Sequence, residues 1–492
     1  MCSALVVVLF LSLAGVAGPV AARAAAMPSQ PNSDSLHTGV ALLQRKRFAQ
    51  ARDVLLGVVQ RHPQSAEAFF YLGIAELDLE NAATAERYFR RSLALKPDSP
   101  NTLYNLGVVL LDLRRPSEAI PLLEKAGTLE KPSPELMVNL ISAYLDAGQK
   151  QAGLRAVRAA EVSFGADPGF QFALGKCLAA HRLFAEARTC FTKTDQLVPD
   201  QIEVALPLAE VCLDLDDISG ARQALAEIAQ KATNSPRYHY LLARTDILGH
   251  ENKQALDEAR QAAQLAPQDP AYVLYLGRVY QKLGNQRKAV EVFEIAARIA
   301  PGLPGIPYSI GISYFIAGNY NQSIFFAEQA LKRDSAYGRA VFLLAISQFA
   351  VNNLKDAKIS FQRALKLEPE NQFYHCFFGM LLISENHLQE AQSQLEQAIQ
   401  IDPSYALPHY QLGRVLARMN EYEDASSELE KAVALEPDLP GAYWILAHAY
   451  LRLGQKKKAE QAMASFQKYH AAAYNEREDV LRQMRKAVHE GR

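Results

Sequence analysis

A single period of 34 residues organises the chain. Counting from Asn32, thirteen units follow one another without an insertion. Position 8 is Gly in eight of these units, although all 492 residues contain only 26 Gly. Self-similarity at a fixed period indicates a repeat architecture stabilised by neighbouring units, not the three separate domains that the length alone suggests. The units start at residues 32, 66, 100, 134, 168, 202, 236, 270, 304, 338, 372, 406 and 440.

Each unit predicts a pair of helices. Apolar residues near positions 4, 7 and 11 form a stripe at helical spacing, as Val273, Leu276 and Tyr280 do, and a second stripe follows near positions 20, 24 and 27. Small residues at positions 8 and 20 would let the two helices approach closely. Position 15 is often Gly or Asn, which tolerate the left-handed conformation that ends a helix. Pro at position 32 ends the second helix in eight units.

This pattern resembles the tetratricopeptide repeat family. The family's small residue at position 8, Ala at 20, Leu or aromatic residue at 24 and Pro at 32 recur from Asn32 to about Ala473. The resemblance implies an all-α fold, a right-handed α-α superhelix (solenoid) of thirteen helix-turn-helix repeats over residues 32–473. It also implies that the first helices line a concave groove. Residues 474–492 are expected to form a C-terminal capping helix and tail, with a frayed tail as the alternative.

The N-terminus is predicted to be an export signal. The apolar run Ala4–Ala17 precedes the small-x-small sequence Ala22-Arg23-Ala24, as signal peptidase requires. We therefore interpret residues 1–26 as a signal peptide, residues 27–31 as a linker, and the mature chain as periplasmic or extracellular. Since the apolar run lacks a preceding Lys or Arg, an uncleaved membrane anchor is the alternative. No later segment approaches membrane-spanning length.

Two prolines interrupt the pattern. Pro207 falls inside the first helix of unit six and Pro121 inside the second helix of unit three. An interior proline destabilises a helix by about 3 kcal/mol. Two interpretations stay open: local kinks that the fold absorbs, or a flexible joint across residues 134–235.

Unusual apolar residues occur on the predicted groove side. In the family, positions 2, 5, 6, 9, 12 and 13 of the first helix face the groove, and an aromatic residue at position 5 is common. Position 9 is normally polar, yet it is apolar in units nine to eleven. These residues would bind a partner if exposed, whereas a groove that narrows on itself would bury them. The position-9 residues are Ile312, Ile346 and Met380. The neighbouring residues of this apolar stretch are Phe315, Phe349 and Phe377, with Tyr308 and Phe342 at position 5.

A basic patch is predicted in units seven and eight. Arg237, Arg244, Arg278 and Lys282 fall on groove positions. The patch resembles the tetratricopeptide clamps that hold a peptide carboxylate, although the clamp's Asn partners are missing from the neighbouring positions. The alternative is a solvated charge cluster.

Two amides offer a separate candidate contact. Asn105 and Asn139 occupy position 6 of units three and four and are candidates for binding a peptide backbone. Position 13 changes from acidic in early units to basic in later ones, which would give a bound chain a direction. The overall net charge of −1 argues against a nucleic-acid partner.

Nothing in the sequence indicates catalysis, a metal or another cofactor. His239, His375 and His409 share position 4, and equivalent side chains on packed neighbouring helices are about 8–10 Å apart, too far for one zinc ion. We interpret them as core or edge residues. Cys177 and Cys190 lack a disulfide spacing, as does Cys212, so buried free thiols are expected.

The predicted function is a non-enzymatic, exported scaffold that binds a peptide segment or protein partner in the groove. The alternative is a recognition or assembly subunit of an envelope complex, for glycosyl transfer or for polysaccharide or protein export, whose catalytic part is another chain. The partner and the oligomeric state do not follow from the sequence.

Overall fold

The chain folds into consecutive helical hairpins. A computed structural model describes residues 33–469 and 476–489, and the regular structure within these ranges is entirely helical. The predicted signal (1–26) and linker (27–31) lie outside the described residues. Internal contacts divide the chain into two compact units, which meet in sequence between Thr233 and Asn234.

The N-terminal unit contains six described helix pairs. Its helices are α1 (Ser33–Gln44), α2 (Phe48–Arg61), α3 (Ala66–Asp78), α4 (Ala82–Leu95), α5 (Pro100–Asp112), α6 (Pro116–Leu129), α7 (Pro134–Asp146), α8 (Lys150–Phe164), α9 (Pro168–Ala180), α10 (Phe184–Leu197), α11 (Ile202–Asp214) and α12 (Ile218–Glu227).

The C-terminal unit contains seven further pairs and one additional described helix. They are α13 (Pro236–Leu248), α14 (Asn252–Leu265), α15 (Pro270–Lys282), α16 (Gln286–Ile299), α17 (Gly305–Ile316), α18 (Tyr320–Arg333), α19 (Gly338–Ala350), α20 (Leu354–Leu367), α21 (Gln372–Ser384), α22 (Leu388–Ile401), α23 (Ala406–Arg418), α24 (Tyr422–Leu435), α25 (Pro440–Arg452), α26 (Lys456–Tyr469) and α27 (Glu476–His489). From α3 to α25, the first helix of each pair starts on the residue that the 34-residue step gives, except α17, which starts one residue later. The all-α fold of repeated helix-turn-helix elements is therefore confirmed.

Glycine at position 8 lets the two helices of a pair approach closely. A Cβ built on Gly277 would lie 2.3 Å from the ring of Phe293, and one built on Gly73 would lie 2.6 Å from the ring of Phe89. Both rings occupy position 24 of the same repeat. A Cβ at position 8 of these two repeats would collide with that ring, which explains why Gly and Phe occur together there.

Position 15 adopts the left-handed conformation in all thirteen described turns, with φ between 58° and 79°. In the turn after α3, Glu80 donates its N–H to the carbonyl of Leu77, and Asn81 donates to Glu76. These bonds satisfy carbonyls that the end of a helix leaves unpaired. The left-handed turn predicted from Gly and Asn thus extends to repeats that carry Lys, Glu, Arg, Asp or His at this position.

The interior prolines do not end their helices. Both α6 and α11 continue through Pro121 and Pro207. The larger irregularity is α12, which ends at Glu227 after 10 residues, whereas most second helices have 14. A flexible joint across residues 134–235 remains a prediction.

Helix α27 forms within the segment that is predicted to be a cap. The segment is helical as expected, but it packs on α17, far back along the chain. Its Met484 belongs to the hydrophobic cluster that the repeats from α17 to α26 share. The helix itself is found as expected, and its role as a cap on the end of the stack stays a prediction. Within the described residues, no helix combines the length and the apolar run that crossing a bilayer requires.

Candidate protein-binding surfaces

Arginines and tyrosines of four successive first helices share one surface of the C-terminal unit. The guanidinium of Arg244 lies 5.8 Å from the ring centre of Tyr240, within cation–π range. The Tyr240 ring in turn meets the Tyr275 ring edge-on, with 4.7 Å between their centres. We call the following set the arginine–tyrosine surface: Tyr240, Arg244, Tyr275, Arg278, Tyr308, Tyr337 and Arg339.

The second half of this surface is linked to the first through Arg278. The positive charge of Arg278 acts on Tyr275 and also on Tyr308 and Tyr337. The rings of Tyr308 and Tyr337 meet edge-on with 5.3 Å between their centres. Arg339 acts on both of these phenols. Arg278 and Arg339 are exposed, whereas the tyrosines are half-buried.

The phenols of Tyr275, Tyr308 and Tyr337 stay protonated at neutral pH because burial raises the pKa of each. Burial raises the pKa of Tyr308 to about 12, and Arg339 opposes the shift only in part. Burial likewise raises the pKa of Tyr275 and of Tyr337. A protonated phenol and a guanidinium both donate hydrogen bonds. The surface therefore offers donors and positive charge together, the combination that binds carboxylates.

The sequence found part of this surface. Arg244 and Arg278 are brought to a common neighbour, Tyr275, as the predicted basic patch requires. Arg237 and Lys282 are exposed on the same two helices. Tyr337 and Arg339 were missed, although Arg339 occupies the groove position that Arg237 occupies in unit seven.

The apolar residues predicted for the groove are mostly buried. Phe315 is 0% exposed, Ile346, Phe377 and Met380 are each 1% exposed, and Phe342 is 8% exposed. Phe349 is buried at 9%, while Tyr308 and Ile312 are half-buried. Of the two interpretations, the structure gives the second, in which the groove side is covered. The expectation that these residues form an exposed patch is corrected, and their role in partner binding remains untested.

Helix α27 contributes to the same hydrophobic cluster and packs on α17. Val480, Leu481, Met484 and Val488 pack against the cluster that contains Phe342, Ile346, Phe377 and Met380, and Met484 itself is 0% exposed. This contact joins residues more than a hundred positions apart, so the 34-residue period carries no signal for it. The only sequence signal is the near-helical apolar spacing within α27.

The two candidate amides already donate within the protein. The Asn139 side-chain amide donates to the hydroxyl of Tyr104 over 2.9 Å, and that of Asn105 donates to the carbonyl of Asn101 over 2.7 Å. Both side chains are half-buried. Asn139 thus stabilises the packing of α7 on α5, and backbone binding by either amide stays a prediction.

The position-4 histidines hold pairs of helices together. Nδ1 of His409 contacts Glu428 at 2.6 Å and Nε2 contacts the carbonyl of Pro403 at 3.1 Å. His239 contacts Glu258 in the equivalent place. Among the described residues, no group of three or more His, Cys, Asp and Glu has a geometry that holds a metal ion.

The described cysteines are free and buried. They are Cys177, Cys190, Cys212 and Cys376. Burial raises the pKa of Cys190 to about 12 and that of Cys212 to about 11. Both thiols therefore stay protonated and unreactive at neutral pH.

Family models match most of the chain. Three models described as tetratricopeptide repeat align with it: one at residues 36–100, 72–128, 138–202 and 248–304, a second at 178–245 and 382–438, and a third at 440–467. No curated protein matches the sequence significantly. Among solved structures, the chain is similar to one titled "Crystal structure of APC/C hetero-tetramer Cut9-Hcn1". That pair shares 12% sequence identity over 85% of this chain and 96% of the other, with a TM-score of 0.45.

The matched ranges contain the small residue at position 8 and the Pro at position 32 of the repeat pattern. They agree with the helix pairs and the left-handed turns of the structure. Repeats of this kind support a role as a protein–protein interaction scaffold. The chain belongs to the tetratricopeptide repeat family.

Proposed function

We propose that this chain is an exported scaffold whose arginine–tyrosine surface binds an acidic peptide segment of a partner protein. Arrays of this family are typically non-catalytic, so the proposed role is binding alone. The observation that carries the proposal is the shared placement of Arg244 and Arg278 around Tyr275, continued by Arg339 beside Tyr308 and Tyr337.

The chemistry of the surface favours carboxylates in an extended segment. Successive first helices in packed repeats are about 8–10 Å apart, the spacing of every second or third residue of an extended chain. The guanidinium groups would pair with acidic side chains or with a terminal carboxylate, and the tyrosine rings would pack against the apolar stems. Because Arg278 and Arg339 are exposed, salt should weaken the binding.

A charge-matched peptide library tests this proposal. We would measure fluorescence anisotropy with two pools of equal length, one with Asp and Glu at the variable charged positions and one with Asn and Gln. The acidic pool is expected to bind at least about tenfold more tightly, a difference of roughly 1.4 kcal/mol. Arg244→Glu with Arg278→Glu should remove the difference, because it reverses the charge on both sides of Tyr275.

The matched control is Arg287→Glu. Arg287 is exposed on the second helix α16, where it pairs with Glu291. This variant makes the same kind of charge change away from the proposed surface and should leave the preference for acidic peptides intact. Equal binding of the two pools by the unaltered chain would refute the proposed specificity.

Export rests on the N-terminal sequence alone. The apolar run Ala4–Ala17 and the small residues near Ala24 support a signal that is cleaved close to Ala26. Cell fractionation combined with N-terminal sequencing of the mature chain tests this directly. A cytoplasmic chain with an intact N-terminus would refute export, and an intact N-terminus in the membrane fraction would favour an uncleaved anchor.

A further inference from the structure

Helix α27 contacts the repeats through one apolar stripe, as an amphipathic helical ligand would. Its apolar residues Val480, Met484 and Val488 are spaced at i, i+4 and i+8, with Leu481 beside them. At about 100° per residue these side chains form one stripe along the helix. All four pack against the hydrophobic cluster of the C-terminal unit.

Polar side chains flank this stripe on both sides. Gln483 and Arg485 are two residues apart and so point to opposite sides of α27, about 200° apart. The buried amide of Gln411 on α23 donates to Gln483 over 3.2 Å, and Arg485 donates to the hydroxyl of Tyr320 on α18 over 3.3 Å. Repeats nine and twelve therefore form hydrogen bonds with opposite sides of α27.

The first helices of repeats ten and eleven are largely apolar and buried. Eleven of the 13 residues of α19 are buried, as are nine of the 13 of α21, whereas only four of the 13 of α15 are buried. Ile346 and Met380 hold position 9 in these helices, where α13 and α15 carry Arg244 and Arg278. Departure of α27 would expose the part of the apolar cluster that Met484 packs into, which favours replacement by another apolar surface.

Helix α27 itself has the composition of a detachable segment. Its sequence, EREDVLRQMRKAVH, contains four acidic or amide and four basic residues among 14, and its apolar contact is one narrow stripe. By contrast, α19 is apolar around nearly its whole circumference. Segments with few buried apolar contacts open at a smaller free energy than the core.

We propose that the first-helix face of α17–α23 is a binding site for an amphipathic helix, that α27 occupies it in cis, and that a helix of the same pattern on a partner protein displaces α27. The partner helix would carry a stripe of Val, Leu and Met, an amide on one side and a cation on the other. The site adjoins the arginine–tyrosine surface, since Tyr308 on α17 packs against the same cluster, but it rests on the contacts of α27 and takes a ligand of different chemistry.

Competition with a synthetic helix in trans tests the proposal on the full chain. The probe is a fluorescent peptide of residues 474–492. A site that is occupied in cis binds such a peptide with an affinity reduced by the fraction of time it is open. We therefore expect weak binding to the unaltered chain and at least about tenfold tighter binding to the Met484→Glu variant, whose own α27 is weakened. The conservative Met484→Leu variant should behave like the unaltered chain.

A second measurement does not depend on any variant. In uniformly ¹⁵N-labelled full chain, excess unlabelled peptide should accelerate amide hydrogen exchange in residues 480–488, because it displaces α27. The mass label separates the chain's segment from the added peptide. A peptide with Glu in place of Met484 should have no such effect. Unchanged exchange with saturating peptide, or equal affinity of the Met484→Glu and unaltered chains, would overturn the proposal.

Discussion

The first helices of the later repeats in the C-terminal unit are buried more completely than those of the early repeats in the N-terminal unit. In the N-terminal unit, only five of the 13 residues of α3 and six of those of α5 are buried, so each first helix keeps a side open. In the C-terminal unit, 11 of the 13 residues of both α19 and α23 are buried. The lengths of these first helices and the left-handed backbone of the turns are alike. The difference therefore lies in the side chains that the repeat pattern leaves variable, which form one large apolar cluster with α27 in the later repeats.

The turns of the two units differ in the residue at position 15. Position 15 is left-handed throughout, but in the N-terminal unit it is Gly in one of six turns, the others carrying Lys, Glu, Arg or Asp. In the C-terminal unit it is Gly or Asn in every turn except that of His250. Because a left-handed conformation disfavours residues with a Cβ by about 1–2 kcal/mol, the N-terminal turns carry backbone strain that the C-terminal turns mostly avoid.

The largest expected contrast comes from one substitution at the same repeat position in both units. Ile346 and Ile74 both occupy position 9, but Ile346 is 1% exposed and Ile74 is only partly buried. Ile346→Ala should lower the free energy of unfolding by about 3 kcal/mol, since it leaves a cavity. Ile74→Ala should lower it by about 1 kcal/mol. Urea unfolding followed by circular dichroism measures both, and equal losses would contradict the contrast.

A smaller effect is expected from the turns. Glu80 is exposed and has a φ of 61°, and Gly148 has a φ of 74° with open space around its Cα. Glu80→Gly should stabilise the chain by about 0.5–1 kcal/mol, while Gly148→Ala should destabilise it by about 1 kcal/mol. Thermal melting of the two variants checks the signs. A loss of stability in Glu80→Gly would show that its turn is not strained.

The smallest effect concerns pH. His181 bridges Asp146 at 3.2 Å and the carbonyl of Cys177 at 2.8 Å, and the hydrogen bond to Asp146 raises the pKa of His181 to about 10. Because the folded-state pKa is raised, this stabilisation is full below about pH 6.5 and is lost as the pH rises towards 10. His181→Gln should remove this dependence, on the order of 0.5 kcal/mol for a partly exposed pair. Unfolding free energies measured at pH 6 and pH 9.5 test it.

The C-terminal unit should respond on the acid side. The hydrogen bond from His409 lowers the pKa of Glu428, so the stabilisation from this pair is present above about pH 4.5 and is lost as the pH falls below it. Glu428→Gln is the matched control for His181→Gln. An alkaline loss in the His181→Gln variant equal to that of the unaltered chain would refute the assignment to His181.

Much of the fold could be predicted because its determinants recur locally. Gly277 and Phe293 lie 16 residues apart in one hairpin, and the close contact between them repeats in other units. The seat of α27 could not be predicted, since Arg485 meets Tyr320 across 165 positions and this contact occurs once. Apolar residues at position 9, such as Ile346, were recognised as departures, but the repeat period does not indicate that they are buried. For the arginine–tyrosine surface, Arg244 and Arg278 were visible as groove cations. Tyr337 was not, because it precedes its helix.

Helix α27 packs on an apolar face of the C-terminal unit at α17, whereas first helices such as α3, α5 and α15 bury fewer of their residues. Hydroxyl-radical footprinting of the unaltered full chain tests this most directly, because it reads side-chain exposure at many repeats at once. We predict that Phe377, Met380 and Met484 are protected and that the half-buried Phe70 and Phe172 are modified several times faster. Modification of Phe377 and Met380 at the rate of Phe172 would contradict the account.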